Sequence, residues 1–163
     1  MDRGVDMMEK DVMKQVKVIV FQIGNEEYAV PVDQVGSIER LESITRVPRT
    51  ERFVKGIINL RGIVIPVIDL RLRFGMEETS YTETTRIIII HVDQVEVGLI
   101  VDVANDVLDI QEDMIESAPE VVGTIHVDYI LGVAKYDKRL LILLDLQKVL
   151  ATEEIEQLQG AEG

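Results

Sequence analysis

Cysteine and tryptophan are absent from the 163-residue chain, and aromatic residues make up only 4% of it. A chain without cysteine forms no disulfide, carries no thiol nucleophile and offers no cysteine ligand for zinc. The absence also fits a reducing compartment. Because aromatic side chains are few, the core must be built from Ile, Val and Leu. Hydrophobic residues make up 47% of the chain, enough for a sizeable core in one domain or two very small ones.

Basic residues are also in short supply. The chain has 17 Lys and Arg residues against 30 Asp and Glu residues, and its net charge is −13. This balance argues against nucleic acid, whose binding depends on cations that neutralise phosphates, and against an anionic membrane surface. The apolar run at 87–90 is strand-sized, whereas a membrane-spanning helix needs about 20 apolar residues. Since the N-terminus does not have the pattern of a secretory signal, we predict a cytoplasmic protein.

The residue types that catalysis and metal binding require are scarce. His91 and His126 are the two histidines, and we interpret each as a surface or edge residue. The NLRG motif at 59–62 lacks the Lys-Ser/Thr pair of a phosphate-binding loop. Asp69 and Asp145 end apolar runs, where they suit helix N-caps better than acid–base chemistry. The sequence therefore predicts a protein that is not an enzyme and needs no metal or other cofactor.

Short runs of β-branched residues separated by turn residues dominate the chain, which is typical of small barrels or a sandwich. A helix is predicted for 145–158, where apolar residues recur every three or four positions. The clearest hairpins are predicted at 16–32, 56–70 and 125–146.

The segment around the second hairpin carries three further signals. Thr50 and Gly56 are predicted to begin and end one helical turn. Pro66 interrupts an apolar run, which predicts an edge strand or a bulge because proline cannot donate a ladder hydrogen bond. Arg61, beside Gly62, would project from a rigid turn. It is either a solvated turn residue or a cation that pairs with a carboxylate of a partner.

The chain repeats itself in three steps. An offset of 69 residues places VPVD (30–33) on LIVD (99–102), and one of 71 places ITRVP (44–48) on IESAP (115–119). An offset of 76 places the apolar run before Asp69 on the one before Asp145, and Gly56 on Gly132. The order is preserved and the offset grows, as duplication with loop insertions predicts. Loose similarity between two β-rich halves is the alternative.

Duplication predicts how the chain is divided. We expect a flexible tail at 1–15, a first barrel half at 16–84, a second at 85–145, and a C-terminal helix and tail at 146–163. Each half is too small to bury its sheet alone, so the two must share a core and leave an apolar seam where they meet. That seam is the natural binding groove. Strands or the C-terminal helix could still cross between the barrels.

Five motifs of the chain belong together: VFQIGNEEYAVPVDQV (20–35), TRVP (45–48), KGIINLRGIVIPVIDLR (55–71), GLIVDVANDVL (98–108) and SAPE (117–120). In this order they resemble the CheW family of bacterial chemotaxis coupling proteins. The resemblance spans about Val16 to Leu158. It implies a mainly β fold: two SH3-like five-stranded β-barrels packed around a shared core, with a C-terminal helix, forming one CheW-like domain overall. It also implies a protein without catalytic activity.

The same resemblance implies partners and sites. The family couples methyl-accepting chemoreceptors of the membrane to the histidine kinase CheA, whose regulatory domain has the same fold. The expected location is the cytoplasm, at receptor clusters on the inner face of the membrane. The receptor's cytoplasmic tip would lie in a groove lined by Val35, Ile38, Ala104 and Val107. The expected interface with the kinase and the array comprises Gly56, Asn59 and Arg61.

Two other functions remain open at this point. One is a coupling protein of a related array, for example one that controls pilus motility, whose sequence would look nearly the same. The other is a small β-barrel enzyme, which would need a metal at His91 or His126, or an acid with a shifted pKa, in the cleft between the barrels.

Overall fold

The computed structural model describes residues 15–118 and 127–150, which form eleven strands and two short helices. The strands of the first half are β1 (Gln15–Ile23), β2 (Glu26–Pro31), β3 (Val35–Arg40), β4 (Val54–Leu60) and β5 (Ile63–Asp69), followed by helix α1 (Leu70–Arg73). The second half comprises β6 (Arg86–Val92), β7 (Val95–Val101), β8 (Val103–Gln111), β9 (Ile115–Glu116), β10 (Ile130–Tyr136), β11 (Arg139–Leu144) and helix α2 (Leu146–Leu150).

The strands form two barrels. The β1 barrel has the order β8-β1-β2-β11-β10-β9, and the β6 barrel has the order β3-β6-β7-β5-β4. Neighbouring strands are antiparallel, except that β11 runs parallel to β2 and β5 runs parallel to β7. The prediction of a mainly β protein built from two small barrels is confirmed.

The predicted halves 16–84 and 85–145 do not coincide with these barrels. Strands β1 and β2 belong to the barrel formed otherwise by β8 to β11, and β6 and β7 belong to the barrel of β3 to β5. Each half thus inserts its first hairpin into the barrel of the other half. The physical reason is burial: these hairpins carry apolar side chains on both faces, so both faces need cover from other strands.

The topology repeats as the sequence does. Exchanging β1, β2, β3, β4 and β5 for β6, β7, β8, β10 and β11 converts the strand order of one barrel into that of the other, apart from the additional short strand β9. Register irregularities match as well, since they precede Gly56 in β4 and Gly132 in β10. Thr45 bridges Ile57, just as Glu116 pairs with Val133. These agreements support duplication over loose similarity between β-rich segments.

Three apolar clusters account for the alternation along the strands. In β1, Val18 and Val20 pack inside the β1 barrel, whereas Ile19 and Phe21 belong to a larger cluster between the barrels. The isoleucine run 87–90 alternates in the same way, with Ile88 and Ile90 in the cluster between the barrels. We call this larger cluster the shared core. It draws on strands of both barrels and on both helices, so neither barrel is complete alone.

Aromatic residues reinforce the junction. The rings of Tyr28 and Phe74 lie 5.5 Å apart, and those of Phe74 and Tyr129 lie 5.7 Å apart. Beside them the guanidinium of Arg73 lies 5.0 Å from the ring of Tyr129 and its Nε donates to the carbonyl oxygen of Val149 at 2.8 Å. These contacts connect α1 to the start of α2. The remainder of the helix predicted at 145–158 lies outside the described residues.

Two predictions of local structure are wrong. The segment 49–56 contains no helical turn: the Thr50 hydroxyl donates to the carbonyl oxygen of Val47 at 3.0 Å, and Gly56 lies within β4. Pro66 lies neither in an edge strand nor at a bulge, because β5 pairs with both β4 and β7 and the register irregularity of the β4–β5 pair falls between Val54 and Gly56. It is tolerated because the pairing with β7 begins only at Val67. Among the described residues, no helix is long and apolar enough to cross a membrane.

Candidate protein-interaction surfaces

Strand β3 forms one edge of the β6 barrel and carries two of the predicted groove residues. Val35 lies opposite Ile90 and Ile38 lies opposite Ile88 in the antiparallel ladder with β6. Residues that lie opposite each other in such a ladder project from the same face. Since Ile88 and Ile90 belong to the shared core, Val35 and Ile38 project from the face that is turned toward the other barrel.

Strand β8 forms the corresponding edge of the β1 barrel. Ala104 lies opposite Phe21 and Val107 lies opposite Ile19, both of which belong to the shared core. Ala104 and Val107 therefore also project from the face that is turned toward the other barrel. The offset of 69 makes Ala104 the duplicate of Val35, and Val107 the duplicate of Ile38.

The four side chains extend the shared core to the surface. Val35 is half-buried and packs against the shared core, and Ala104 is half-buried. Ile38 and Val107 are 41% and 54% exposed. Large exposed apolar side chains at equivalent places on two edge strands are suited to contact a partner. We call these residues the edge-strand surface.

Matching irregularities shape both edges. The register of β3 shifts between Val35 and Ser37, which leaves Gly36 unpaired, and that of β8 skips Asn105. Such bulges bend a strand and re-aim its side chains. Gly36 lies close to β6, where a Cβ would be 3.3 Å from Cε1 of His91.

The predicted array residues Asn59 and Arg61 lie together at the β4–β5 hairpin. The Oδ1 atom of Asn59 accepts from the backbone N–H of Gly62 at 2.8 Å, which braces the turn. Arg61 has a φ of 52° and is 71% exposed, and its guanidinium lies 3.3 Å from Oε2 of Glu39 in β3. The hydroxyl of Ser37 and, to a lesser degree, Arg61 hold the pKa of Glu39 below its ordinary value.

Gly56, the third of these residues, is buried in β4 and has a φ of 144°. A Cβ at this position would lie 2.0 Å from the carbonyl oxygen of Thr45. The backbone of Thr45 exchanges two hydrogen bonds of 2.8 Å with that of Ile57. Gly56 therefore holds the loop before β4 in place, and any effect it has on a partner passes through that loop.

The carboxylates predicted to cap helices do so. Asp69, only 2% exposed, accepts from the backbone N–H of Arg71 at 3.0 Å and from the hydroxyl of Tyr81 at 2.9 Å. Burial and the adjacent Asp69 carboxylate raise the pKa of Tyr81. Asp145 accepts from the N–H of Lys148 at 3.3 Å. The sequence analysis did not identify Tyr81, because nothing local connects it to Asp69.

A charged cluster beside β8 was also missed. Arg139 in β11 bonds Glu27 through Nε and Nη2 at 3.0 and 2.8 Å, and it bonds Asp106 through Nη1 and Nη2 at 3.1 Å. Asn105 donates to Glu27 at 3.0 Å. Hydrogen bonds from Arg139 lower the pKa of Glu27 despite its partial burial. This cluster fixes the edge strand next to Val107. A lone arginine beginning an apolar strand was its only trace in the sequence.

Candidate metal ligands are not grouped in the part of the chain that the structure describes, where no three His, Cys, Asp or Glu side chains could hold a metal ion together. His91 is exposed, as predicted for a surface histidine, but β6 is not an edge strand, since it pairs with both β3 and β7. His126 lies outside the described residues.

Comparison with known proteins agrees with this geometry. The CheW-like domain family matches residues 17–154. The chain is 47% identical to the chemotaxis protein CheW of Bacillus subtilis (strain 168), over 90% of this chain and 94% of that protein. The crystal structure of scaffolding protein TtCheW from Thermoanaerobacter tengcongensis superposes with a TM-score of 0.79 at 37% identity, covering 85% of this chain and 94% of that one. Protein PilI of Pseudomonas aeruginosa is 31% identical over 84 residues, which are 52% of this chain and 47% of that protein.

Proposed function

The chain belongs to the CheW-like domain family, and we propose that it is a non-catalytic adaptor that couples transmembrane chemoreceptors to the histidine kinase CheA. Scaffolding is the activity named for the similar solved structure. In this role the protein catalyses no reaction and needs no cofactor. It works in the cytoplasm and is recruited to receptor clusters at the inner face of the membrane.

The edge-strand surface is the observation that carries this proposal. Ile38 and Val107 are exposed although the chain is rich in charge, and both continue a face whose other side chains are buried in the shared core. An amphipathic helix binds by laying an apolar stripe into such a groove. We infer that the helical tip of a receptor lies between β3 and β8, with Val35 and Ala104 at the floor and Ile38 and Val107 at the rim.

The β4–β5 hairpin is the proposed contact with the kinase and the array. Asn59 braces the turn, and the exposed Arg61 offers a planar cation that can bond a carboxylate of a partner through two N–H groups. Within the chain that cation contacts Glu39, an exposed pairing that costs little to exchange for a partner's carboxylate. Gly56 supports this surface from inside by holding the adjacent loop.

Binding experiments with the full chain test the edge-strand surface. We expect Val107→Glu and Val35→Glu to weaken binding of a receptor cytoplasmic fragment about tenfold or more, because a charge would replace an apolar contact. Leu131→Glu is the matched control, since Leu131 is 59% exposed on β10 and belongs to neither proposed surface. Receptor binding that is unchanged in both groove variants, or equally weakened in the control, would refute the groove.

The hairpin has its own test. Arg61→Glu is expected to reduce co-purification with CheA while receptor binding stays intact, because the two surfaces use different strands. Lys135→Glu, which makes the same charge change on an exposed residue of β10, is the control. Kinase binding that survives Arg61→Glu would remove this hairpin from the interface.

A coupling protein of a pilus-motility array is the second candidate, and the similarity to PilI favours it. The two candidates differ in the kinase they bind. Parallel binding measurements with the regulatory domain of CheA and with the homologous domain of a pilus-motility kinase separate them. Stronger binding to CheA supports the first candidate, and the reverse order supports the second.

A further inference from the structure

A basic cavity opens on the loop between β3 and β4. Its walls come from residues 46–55, and Glu78 of the loop after α1 completes them. Four of the lining residues are cations and two are carboxylates: Arg46, Arg49, Arg52, Lys55, Glu51 and Glu78. In a chain of net charge −13, this is a local reversal of sign.

Only part of this positive charge is neutralised from within. Glu78 forms ion pairs with two of the cations: Lys55 Nζ lies 2.6 Å from its Oε2, and Arg52 Nη2 lies 3.9 Å from its Oε1. Arg46 and Arg49 are exposed, and across residues 15–118 and 127–150 neither makes an ion pair. Two guanidinium groups therefore face solvent at one cavity.

The backbone of the cavity is held in place before any ligand arrives. Thr45 is tied to Ile57 by two hydrogen bonds of 2.8 Å, and the N–H of Val54 donates to the carbonyl oxygen of Glu51 at 2.9 Å. Arg49 has a φ of 64°, a conformation that costs a non-glycine residue about 1 kcal/mol or more. A loop held this firmly presents its cations without a large loss of conformational entropy on binding.

The duplicated half of the sequence does not repeat this charge. The equivalent segment, residues 117–131, contains no lysine or arginine, and it carries Glu120 and Asp128 instead. The basic segment thus occurs in one half of the sequence and not in the other. The positive charge belongs to this loop in particular, which points to a ligand rather than to the stability of a barrel.

We propose that this cavity binds an acidic segment of a partner protein, with carboxylates paired to Arg46 and Arg49. Guanidinium groups bond carboxylates through two parallel N–H donors. The positive patch on an otherwise negative protein would also steer such a segment during encounter. None of the lining residues belongs to the edge-strand surface or to the Asn59–Arg61 turn, so receptor binding by the edge-strand surface does not depend on this site; Gly56 holds the same loop from inside.

A titration of the isotopically labelled full chain with a hexaglutamate peptide tests the proposal. We expect saturable shifts of the backbone amides of 46–55, weakened about tenfold by a rise in salt from low to physiological strength. A hexaglutamine peptide is the neutral control. Inorganic phosphate and vesicles of anionic lipid are the other arms, and tighter binding of either one at these amides would overturn the assignment to an acidic peptide.

Two double variants distinguish the effect of the cavity's own charge from that of the net charge of the protein. Arg46→Glu with Arg49→Glu should abolish hexaglutamate binding, whereas Lys135→Glu with Lys138→Glu makes the same change in net charge and should leave it within about twofold. Circular dichroism verifies that both variants fold. Retained binding in the first variant, or equal loss in both, refutes the site. Neither outcome alters receptor binding by the edge-strand surface, which the Val107→Glu measurement reports separately.

Discussion

Arg61 and Asp137 occupy equivalent turns of the two barrels, at the tips of the β4–β5 and β10–β11 hairpins, with φ angles of 52° and 54°. The backbone is the same, but one turn presents a cation and the other an anion. The arginines that pair with carboxylates of other strands differ too: Arg61 contacts one carboxylate of the β6 barrel, whereas Arg139 contacts two carboxylates of the β1 barrel. Duplication preserved the path of the chain, while the charged surface diverged.

The same contrast holds at the start of the two helices. Asp69 ends β5 and Asp145 follows β11, and both accept a backbone N–H of the helix that begins there. Asp69 is buried and is further bonded by Tyr81, whereas Asp145 is half-buried. Capping is thus a property of the repeat, and the strength of each cap is set by the loops around it.

The largest effect is expected in the shared core, where the halves are alike. Phe21→Ala should lower the free energy of unfolding by about 4 kcal/mol and Ile90→Ala, its duplicate in β6, by about 3 kcal/mol, because each leaves a buried cavity. Since the core belongs to both barrels, urea unfolding should stay a single transition. Leu131→Ala, at an exposed site, should change stability by less than about 0.5 kcal/mol. Two separate transitions in either core variant would show that the barrels are independent.

A smaller loss of stability is expected at the equivalent glycines Gly56 and Gly132, and it should differ between them. Gly56→Ala should cost about 3 kcal/mol, because its Cβ would meet the Thr45 carbonyl at 2.0 Å and its φ is 144°. Gly132→Ala should cost about 1.5 kcal/mol, because its nearest obstacles are a side-chain methyl of Ile115 at 2.6 Å and the Glu116 carbonyl at 2.7 Å. Gly24→Ala, with a φ of 62° and open space around it, measures backbone strain alone. Thermal and urea denaturation rank the three variants, and a loss at Gly24→Ala as large as that at Gly56→Ala would mean that backbone strain, not the close contact, decides at Gly56.

The smallest effect is expected from the charges that link strands. Arg139→Ala should destabilise the protein by about 1 kcal/mol, and Arg61→Ala by less than about 0.5 kcal/mol, because the Arg61 pair is exposed and has one partner. Arg139→Lys keeps the charge but loses the paired hydrogen bonds, so it should recover only part of the loss. A larger loss of stability for Arg61→Ala than for Arg139→Ala would contradict this prediction.

The pH dependence of stability tests the Arg139–Glu27 cluster in a second way. Glu27 has a lowered pKa in the folded protein, chiefly through its hydrogen bonds with Arg139. A lowered pKa adds stability that is complete above the unfolded value of about 4.3 and is lost as the pH falls through the folded value. The stability difference between the wild type and Arg139→Ala should therefore be constant near neutral pH and shrink in acid. A difference that persists undiminished at about pH 3 would mean that packing of the arginine stem, not its charge, is responsible.

The sequence permitted accurate prediction wherever the signal was local. The hairpin turn at Arg61-Gly62 and the caps Asp69 and Asp145 were recognisable, because turns and N-caps depend on residues close in the chain. Prediction failed for the helical turn at Thr50–Gly56 and for the edge position of Pro66. Both errors have one cause, which is pairing of the surrounding strands with other segments: Ile57 in β4 bridges Thr45, and β5 pairs with β7 from Val67 onward. Such pairing has no local signature.

Some residues of the candidate surfaces could be predicted from the sequence, and others could not. Val35, Ile38, Ala104 and Val107 were proposed from motif resemblance, and strand register places all four on the faces that turn toward the opposite barrel. Their contact with a receptor stays a prediction. Tyr81 and the Arg139 cluster could not be found from sequence. Arg139 and Glu27 are 112 residues apart, and only the parallel pairing of β11 with β2 brings them together.

By itself the sequence determined that this protein is mainly β, that it repeats internally, and that its core is aliphatic, because strand period, turn residues and composition are local quantities. Only the tertiary structure decided which hairpin enters which barrel, and that the barrels share one core. The alternation of apolar residues specifies which faces must be buried, but it does not specify which edges pair. That choice is made by the burial of both faces of β1–β2 and β6–β7 at once, which requires strands from the other half of the chain.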